Sequence, residues 1–236
     1  MRSIEWDGFC NARDLGGLPT AGGGRTRTGV LIRSADPRFV TADGWRAARA
    51  AGVRTIIDLR NDDEVPPGDV RLPAGLNRVH VPLDGVEDVE LWRYLNEELL
   101  NGTPLYYPPF LARQPARCAA AVTAVARAEP GGVVFHCGVG RDRTGLLALL
   151  LLSLAGVEPP VLADDYELGA AGVAALYARL GRDDPTPRLQ AVLAGKGTTT
   201  RAAILSVVEG FDAEGYLLAA GVTADDIAAI RERLTD

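Results

Sequence analysis

The stretch His136-Cys-Gly-Val-Gly-Arg-Asp-Arg-Thr-Gly145 decides the fold because of the segments on either side of it. It follows Val133-Val-Phe135, a short run of β-branched and aromatic residues that is typical of a buried strand. It precedes a leucine run over residues 146–152, which is typical of a buried helix and far shorter than the roughly 18 apolar residues of a membrane span. A strand, a glycine-bearing loop and a helix in this order predict a βα unit of a parallel sheet.

Strand and helix patterns also alternate on the N-terminal side of this unit. Residues 30–32, 53–59 and 76–83 are predicted strands, since they are rich in β-branched or alternating apolar residues. Thr41 is a candidate cap of a helix that ends at Gly52. The pattern predicts an α/β fold with a central, mostly parallel sheet flanked by helices.

The chain after Pro160 reads as helical, with glycine and proline breaks between its helices. Another helical region is expected over residues 89–100 and 110–127, broken by Pro104, Pro108 and Pro109. We predict one domain over residues 1–236, in which residues 160–210 form a helical insertion that acts as a lid.

Composition limits the partners and the setting. Of the 236 residues, 47% are apolar and 24% are charged, which is typical of a folded protein, and the net charge of −6 argues against a nucleic acid or an anionic membrane as partner. Three scattered cysteines are too few for a disulfide framework or a zinc cluster. We expect a cytoplasmic protein without metal, cofactor or membrane span, although export without a cleavable signal stays open.

The loop itself has the features of an anion cradle. Gly138 and Gly140 let the backbone approach a ligand closely, and amides in front of a helix point at an anion. The same donors would favour the thiolate form of Cys137, which is the nucleophilic form of a cysteine. Arg143 follows six positions later and carries a planar fork that can bind two oxygens of a phosphate. The spacing of the two residues is weak evidence alone, but the strand, glycines and helix around it make the pattern specific.

The motif His-Cys-x-x-Gly-x-Asp-Arg-Thr-Gly resembles the phosphate-binding loop of bacterial tyrosine phosphatases, in the group that includes triple-specificity tyrosine and phosphoinositide phosphatases. Asn11-Ala-Arg-Asp-Leu-Gly-Gly17 and Ile57-Asp-Leu-Arg60 resemble two further signatures of that group. The chain departs from them at Arg141, where lysine is common, and at Ala12, where an aromatic residue is usual.

The resemblance implies metal-independent hydrolysis of a phosphomonoester through a phosphocysteine at Cys137. Arg143 would bind the phosphate and stabilise its equatorial oxygens, and Thr144 would donate its hydroxyl to the cysteine sulfur. The remaining predicted substrate-binding residues are Gly138, Val139, Gly140, Arg141, Asp58 and Arg13. A phosphotyrosine protein is the leading substrate, while phosphoserine, phosphothreonine, phosphoinositides and small phosphomonoesters stay open.

The leaving group needs a proton, so a general acid is expected. The resemblance implies an acid inside the loop, which would be Asp142, but an aspartate before a helix is also a common N-cap. Asp58 ends a strand and could face the same crevice, or it could stabilise the turn that follows. Asp84, in the loop after the next strand, is a third candidate.

Two other functions are compatible with a loop cysteine on an α/β fold. A rhodanese-type sulfurtransferase also uses such a cysteine, but the Arg143-Thr-Gly145 sequence favours phosphate. A non-catalytic phosphoprotein-binding module would keep the cradle, but Cys137, Arg143 and Thr144 are all present here.

Overall fold

A five-stranded sheet forms the centre of the computed structural model, which describes residues 2–65 and 72–235. The strands are β1 (Arg13–Asp14), β2 (Leu31–Ser34), β3 (Val53–Asp58), β4 (Asn77–His80) and β5 (Gly132–His136). Their order is β1-β2-β5-β3-β4, and only β1 runs antiparallel to its neighbour. The predicted α/β fold with a mostly parallel sheet is confirmed, and the two-residue β1 is a strand that the sequence patterns did not indicate.

Helices cover both faces of the sheet. They are α1 (Ala42–Ala50), α2 (Val89–Glu97), α3 (Tyr107–Arg113), α4 (Pro115–Ala126), α5 (Asp142–Leu154), α6 (Pro159–Arg179), α7 (Thr186–Gly195), α8 (Thr200–Val208), α9 (Ala213–Ala219) and α10 (Ala224–Leu234). Because successive side chains of a strand point to opposite faces, Val134 packs with Trp45 of α1, whereas Val133 and Phe135 belong to the larger core beneath α4 and α5.

Helix α5 runs through the larger core and is apolar on all sides. None of the residues 146–152 is more than 5% exposed, as expected of a helix without a polar face. Burial of each leucine side chain is worth about 1.5–3 kcal/mol, so this helix is firmly held. The loop between β5 and α5 is therefore fixed at both ends.

The helical region before β5 differs in detail from the prediction. Pro108 and Pro109 do not break a helix but lie in the first turn of α3, where a missing N–H leaves no bond unmade. A break does lie between α2 and α3, where Pro104 stands, and a second break lies between α3 and α4, at Gln114.

Helices α6, α7 and α8 occupy the predicted insertion over residues 160–210. Movement of these helices as a lid, and a single domain over the whole chain, stay predictions. Within the described residues, no helix combines the length and the apolar character needed to cross a membrane.

Candidate active site

The glycine-bearing loop leaves the carboxyl end of the central strand β5 and leads into the N-terminus of α5. Cys137 is the first residue after β5 and is only 2% exposed. Gly140 has a φ of +71°, and a Cβ added to it would lie 2.5 Å from the carbonyl oxygen of Ser34. Only glycine fits this close approach, so Gly140 fixes the path of the loop against β2. The carboxyl edge of a parallel sheet is where ligands of such folds bind.

Arg143 binds two carboxylates: that of Asp84, which was a candidate acid, and that of Glu64, which the sequence patterns did not indicate. Its Nη2 lies 2.8 Å from Oε1 of Glu64, and its Nη1 donates to the other oxygen of the same carboxylate. Its Nη1 also lies 3.0 Å from Oδ2 of Asp84. Burial lowers the pKa of Arg143, but the bonds to Glu64 and the charges of Cys137 and Asp84 outweigh it and raise the pKa above its usual value. The Arg143 guanidinium thus binds the Glu64 carboxylate in a bidentate manner, and it could bind two oxygens of a ligand in the same way.

The two carboxyls on Arg143 differ in how strongly they hold a proton. Burial raises the pKa of Glu64, but hydrogen bonds from Arg143 more than offset this and leave the pKa lowered. For Asp84 burial dominates and raises the pKa, despite the charge of Arg143 and a 2.9 Å bond from Asn61 Nδ2. Asp84 therefore holds a proton to higher pH than an ordinary aspartic acid.

Asp142 is the first residue of α5 and does not cap it. The capping position belongs to Arg141, and no side chain caps the helix there, so the N-cap alternative is wrong. The Asp142 carboxylate instead accepts hydrogen bonds from Arg141 Nε and Nη2 at 3.0 and 3.2 Å. Its side chain is 22% exposed and so within reach of a ligand.

Arg141 lines a cavity of about 200 Å³ to which residues of α6 and α7 also contribute. Tyr166, Leu189 and Leu193 line the same cavity. A substrate contact for Arg141 stays a prediction, since its guanidinium is held by Asp142.

Thr144 lies in the first turn of α5 and is fully buried. Its hydroxyl has no hydrogen-bond partner among the described residues. An unsatisfied buried hydroxyl costs stability, which a nearby acceptor such as a thiolate would relieve. This agrees with the predicted role of Thr144, which stays a prediction.

Asp58 does not face the crevice, in contrast to one of the two expectations. It is fully buried, and its carboxylate binds Arg60 Nη2 at 2.7 Å, Arg78, and the backbone N–H of Arg60 at 3.0 Å. Burial raises the pKa of Asp58, but the hydrogen bonds from Arg60, the charge of His136 and the bond from Arg78 lower it well below the usual range. An ionised, fully occupied carboxylate can neither donate a proton nor contact a substrate. The structure thus favours the turn-stabilising alternative.

Replacement of Asp58 should therefore affect stability and not chemistry. Asp58→Asn removes the buried negative charge to which Arg60 and Arg78 both donate, while Arg60 keeps its bond to Asp36, and we expect the free energy of unfolding at pH 7 to fall by about 3–5 kcal/mol. Because the folded pKa is depressed, this stabilisation is fully present above the unfolded value of about 3.9 and is lost progressively as the pH falls from there through the lower folded pKa. Urea unfolding at several pH values from about 7 down to about 2 measures both effects.

Asp43→Asn is the matched control, since Asp43 pairs with Arg46 on the surface with 68% of its side chain exposed. A change of about 0.5 kcal/mol or less is expected there. Equal stability of Asp58→Asn and the wild type at pH 7 would contradict the structural role.

Arg13 is buried and turned toward α6 rather than toward a substrate. Its Nε and Nη2 lie 3.1 Å from the carboxylate of Asp165, and Nη2 also donates to the Asp165 carbonyl at 2.7 Å. Burial and the neighbouring charge of Arg33 lower the pKa of Arg13 to about 10. Arg13 thus ties the N-terminal segment to α6, and its contact with substrate stays a prediction.

The loop motif thus brings together Cys137, Arg143, Asp142 and Thr144. Asp58 and Arg13 instead form buried ion pairs with other residues of the protein. Sequence patterns missed Glu64 as a partner of Arg143. In the part of the chain that the structure describes, no three histidine, cysteine or carboxylate side chains are grouped to hold a metal ion.

Comparisons with known proteins agree with this geometry. A sequence profile described as the tyrosine phosphatase family matches residues 4–236. The chain is 33% identical over 170 residues to a putative tyrosine-protein phosphatase of Cupriavidus necator, which covers 69% of this chain and 61% of that protein. It is 28% identical over 220 residues to a tyrosine-protein phosphatase of Nostoc commune, which covers 87% and 74%. It is 29% identical over 256 residues to the triple specificity protein phosphatase PtpB of Mycobacterium tuberculosis, which covers 96% and 90%. The match thus spans less than two thirds of the length of the first relative.

Proposed function

The chain belongs to the tyrosine phosphatase family, which confirms the class of enzyme predicted from its sequence, and from this premise we propose that it hydrolyses phosphotyrosine through a phosphocysteine at Cys137. One observation carries the proposal. The guanidinium of Arg143, in the loop that begins with Cys137, binds the Glu64 carboxylate through two nitrogens, and the same two donors would fit two oxygens of a phosphate. The named activities of the relatives point the same way.

The reaction uses the loop residues in two steps. The Cys137 thiolate attacks phosphorus, a sulfur–phosphorus bond forms, and the bond to the tyrosine oxygen breaks as that oxygen takes a proton from an acid. Water then attacks phosphorus and gives a proton to the same carboxyl, which is now ionised, while the sulfur–phosphorus bond breaks and releases phosphate and the thiolate. The hydroxyl of Thr144 would donate to the leaving sulfur, while Arg143 and the loop amides stabilise the equatorial oxygens.

Two carboxyls can supply the proton. Asp142 is the proposed general acid, because it lies inside the loop with part of its side chain exposed. Asp84 is the alternative acid, because burial raises its pKa and its Oδ2 lies 3.0 Å from Arg143 Nη1. Both are close to the phosphate-binding arginine, and kinetics can separate them.

The pH dependence of kcat identifies the acid. An acid must be protonated, so kcat of the wild type falls at high pH, and replacement of the true acid by asparagine removes that fall and lowers the plateau by about 10²–10⁴. The substrate should be a phosphotyrosine peptide, since phenol, with a pKa near 10, leaves poorly without a proton. Asp142→Asn and Asp84→Asn are compared with the exposed Asp43→Asn. A wild-type profile in Asp142→Asn would exclude Asp142 and move the role to Asp84.

The substrate class is tested with one panel at equal concentrations. Phosphotyrosine, phosphoserine and phosphothreonine peptides and a phosphoinositide are each assayed for phosphate release. We expect the phosphotyrosine peptide to be hydrolysed fastest. Failure of the wild type to release phosphate from any of them, or from p-nitrophenyl phosphate, would overturn the proposed function.

A further inference from the structure

Each carbonyl group of residues 138–142 accepts a hydrogen bond from outside the loop. The Gly138 carbonyl accepts from the backbone N–H of Asp36 at 3.1 Å, and the Asp142 carbonyl accepts from the hydroxyl of Tyr107 at 2.8 Å. The carbonyls of residues 139–141 accept from two buried or half-buried side chains, Asn11 and Arg33, and the last of them also accepts from the Gly145 N–H of α5 at 2.7 Å. The carbonyl acceptors of the loop are therefore satisfied by the protein.

Asn11 and Arg33 divide the middle carbonyls between them. Asn11 Nδ2 donates to the carbonyls of Val139 and Gly140 at 3.0 and 3.2 Å. Arg33 Nη2 donates to the carbonyls of Gly140 and Arg141 at 3.0 and 3.4 Å. Both side chains therefore donate to the carbonyl of Gly140, the glycine that lies close to β2.

The direction of a carbonyl fixes the direction of the next amide. In a trans peptide the C=O and the following N–H point to opposite sides, and the described residues contain no cis peptide bond. Carbonyls of residues 138–142 that are held outward therefore force the N–H groups of residues 139–143 inward. Those N–H groups are the donors that an anion in the loop would bind.

Asn11 is held in an unusual conformation to make its two bonds. Its φ is +48°, which costs energy for any residue other than glycine and persists only where the surroundings impose it. Its Oδ1 accepts from Arg13 Nη1 at 3.4 Å, which turns Nδ2 toward the loop. A Cβ added to Gly172 of α6 would lie 2.4 Å from this Oδ1, so α6 presses directly on the side chain.

Arg33 is anchored by α6 as well. It is 1% exposed, and its Nη1 lies 2.9 Å from Oδ2 of Asp165, which also binds Arg13 and, at 2.7 Å, Arg2. Three guanidinium groups thus surround one carboxylate. The cluster leaves a surplus of positive charge behind the loop, where it favours an anion on the other side.

We propose that Asn11 and Arg33 are positioning residues, which hold the loop carbonyls outward and thereby aim the loop amides at the phosphate and at the Cys137 thiolate. The proposal rests on the proposed function, since it explains how the loop amides are oriented for phosphate binding before the substrate arrives. It also gives the N-terminal segment and α6 a role in the chemistry through the bonds that they make to the loop.

Asn11→Gly tests the proposal without adding charge, because glycine keeps the positive φ and loses both hydrogen bonds. Two readouts report the loop directly: the rate at which iodoacetamide inactivates the enzyme at pH 7, and inhibition by inorganic phosphate. We expect both the inactivation rate and the phosphate inhibition to weaken about tenfold. Leu99→Gly is the matched control, since Leu99 has a φ of +57° and is 59% exposed.

Arg33→Lys separates charge from geometry, since lysine keeps the charge but cannot bind Asp165 and two carbonyls as a fork. We expect it to weaken phosphate inhibition as Asn11→Gly does, with a folded far-UV spectrum. An active wild type whose Asn11→Gly variant matches it in both readouts would overturn this proposal alone. A wild type that neither releases nor binds phosphate would overturn the proposed function and this proposal with it.

Discussion

Cys137→Ser should lower the rate of phosphotyrosine hydrolysis by roughly 10⁵-fold or more, as loss of a catalytic nucleophile commonly does. The serine hydroxyl is almost never ionised near neutral pH, so the amide donors of the loop have no thiolate to stabilise. Substrate binding should survive, because Arg143 and the loop amides remain. Initial rates give the first effect, and binding of a phosphotyrosine peptide to the inactive variant gives the second.

Two other cysteines serve as controls for this result. Cys10 is partly exposed, and Cys10→Ser should keep wild-type activity. Cys118 is buried, and burial raises the pKa of its thiol to about 11, so it is inert at neutral pH. Residual activity of Cys137→Ser within about tenfold of the wild type would exclude a phosphocysteine.

Arg143→Lys should lower kcat/KM by about 10²–10³, although the charge is kept. The guanidinium presents two parallel N–H donors to an oxyanion, as it does to Glu64, whereas an ammonium is a point charge on a flexible stem. Most of the loss should appear in kcat, because the equatorial oxygens gain charge in the transition state. Steady-state kinetics on a phosphotyrosine peptide separates kcat from KM.

Arg113→Lys is the control for this substitution. Arg113 binds Asp88 through two nitrogens, at 2.8 and 2.6 Å, but it is half-exposed on α3. The same change there should leave kinetics unaltered. Equal activity of Arg143→Lys and the wild type would show that charge alone suffices at this position. It would contradict a requirement for bidentate binding of the phosphate.

The sheet and the loop could be predicted because their signals are local. The β-branched run of β3, the short strand β5 and the leucines of α5 each reveal their structure within a few residues. The motif from Cys137 to Thr144 likewise places its own members together, since it is a single loop. The parallel order of the strands followed from the alternation of strands and helices.

The rest of the site depends on residues that are distant in the sequence. Glu64 reaches Arg143 across 79 positions, and Asp165 reaches Arg33 across 132. No periodicity encodes such pairs, because they depend on how the strand ends and α6 come together after folding. Asp58 shows the same limit: its place at a strand end was clear, but its burial under Arg60 and Arg78 was not.

The central position of β5 affects how the enzyme can adapt to different substrates. Since β5 is hydrogen-bonded on both sides and α5 is buried, their amide protons should be among the last to exchange with deuterated water. The loop between β5 and α5, which would bind phosphate, is therefore attached to the part of the molecule that unfolds locally least often. Tolerance for a new substrate would instead arise outside β5 and α5, for example in α7, whose Leu189 and Leu193 line the cavity beside Arg141 and make no bond to Arg143.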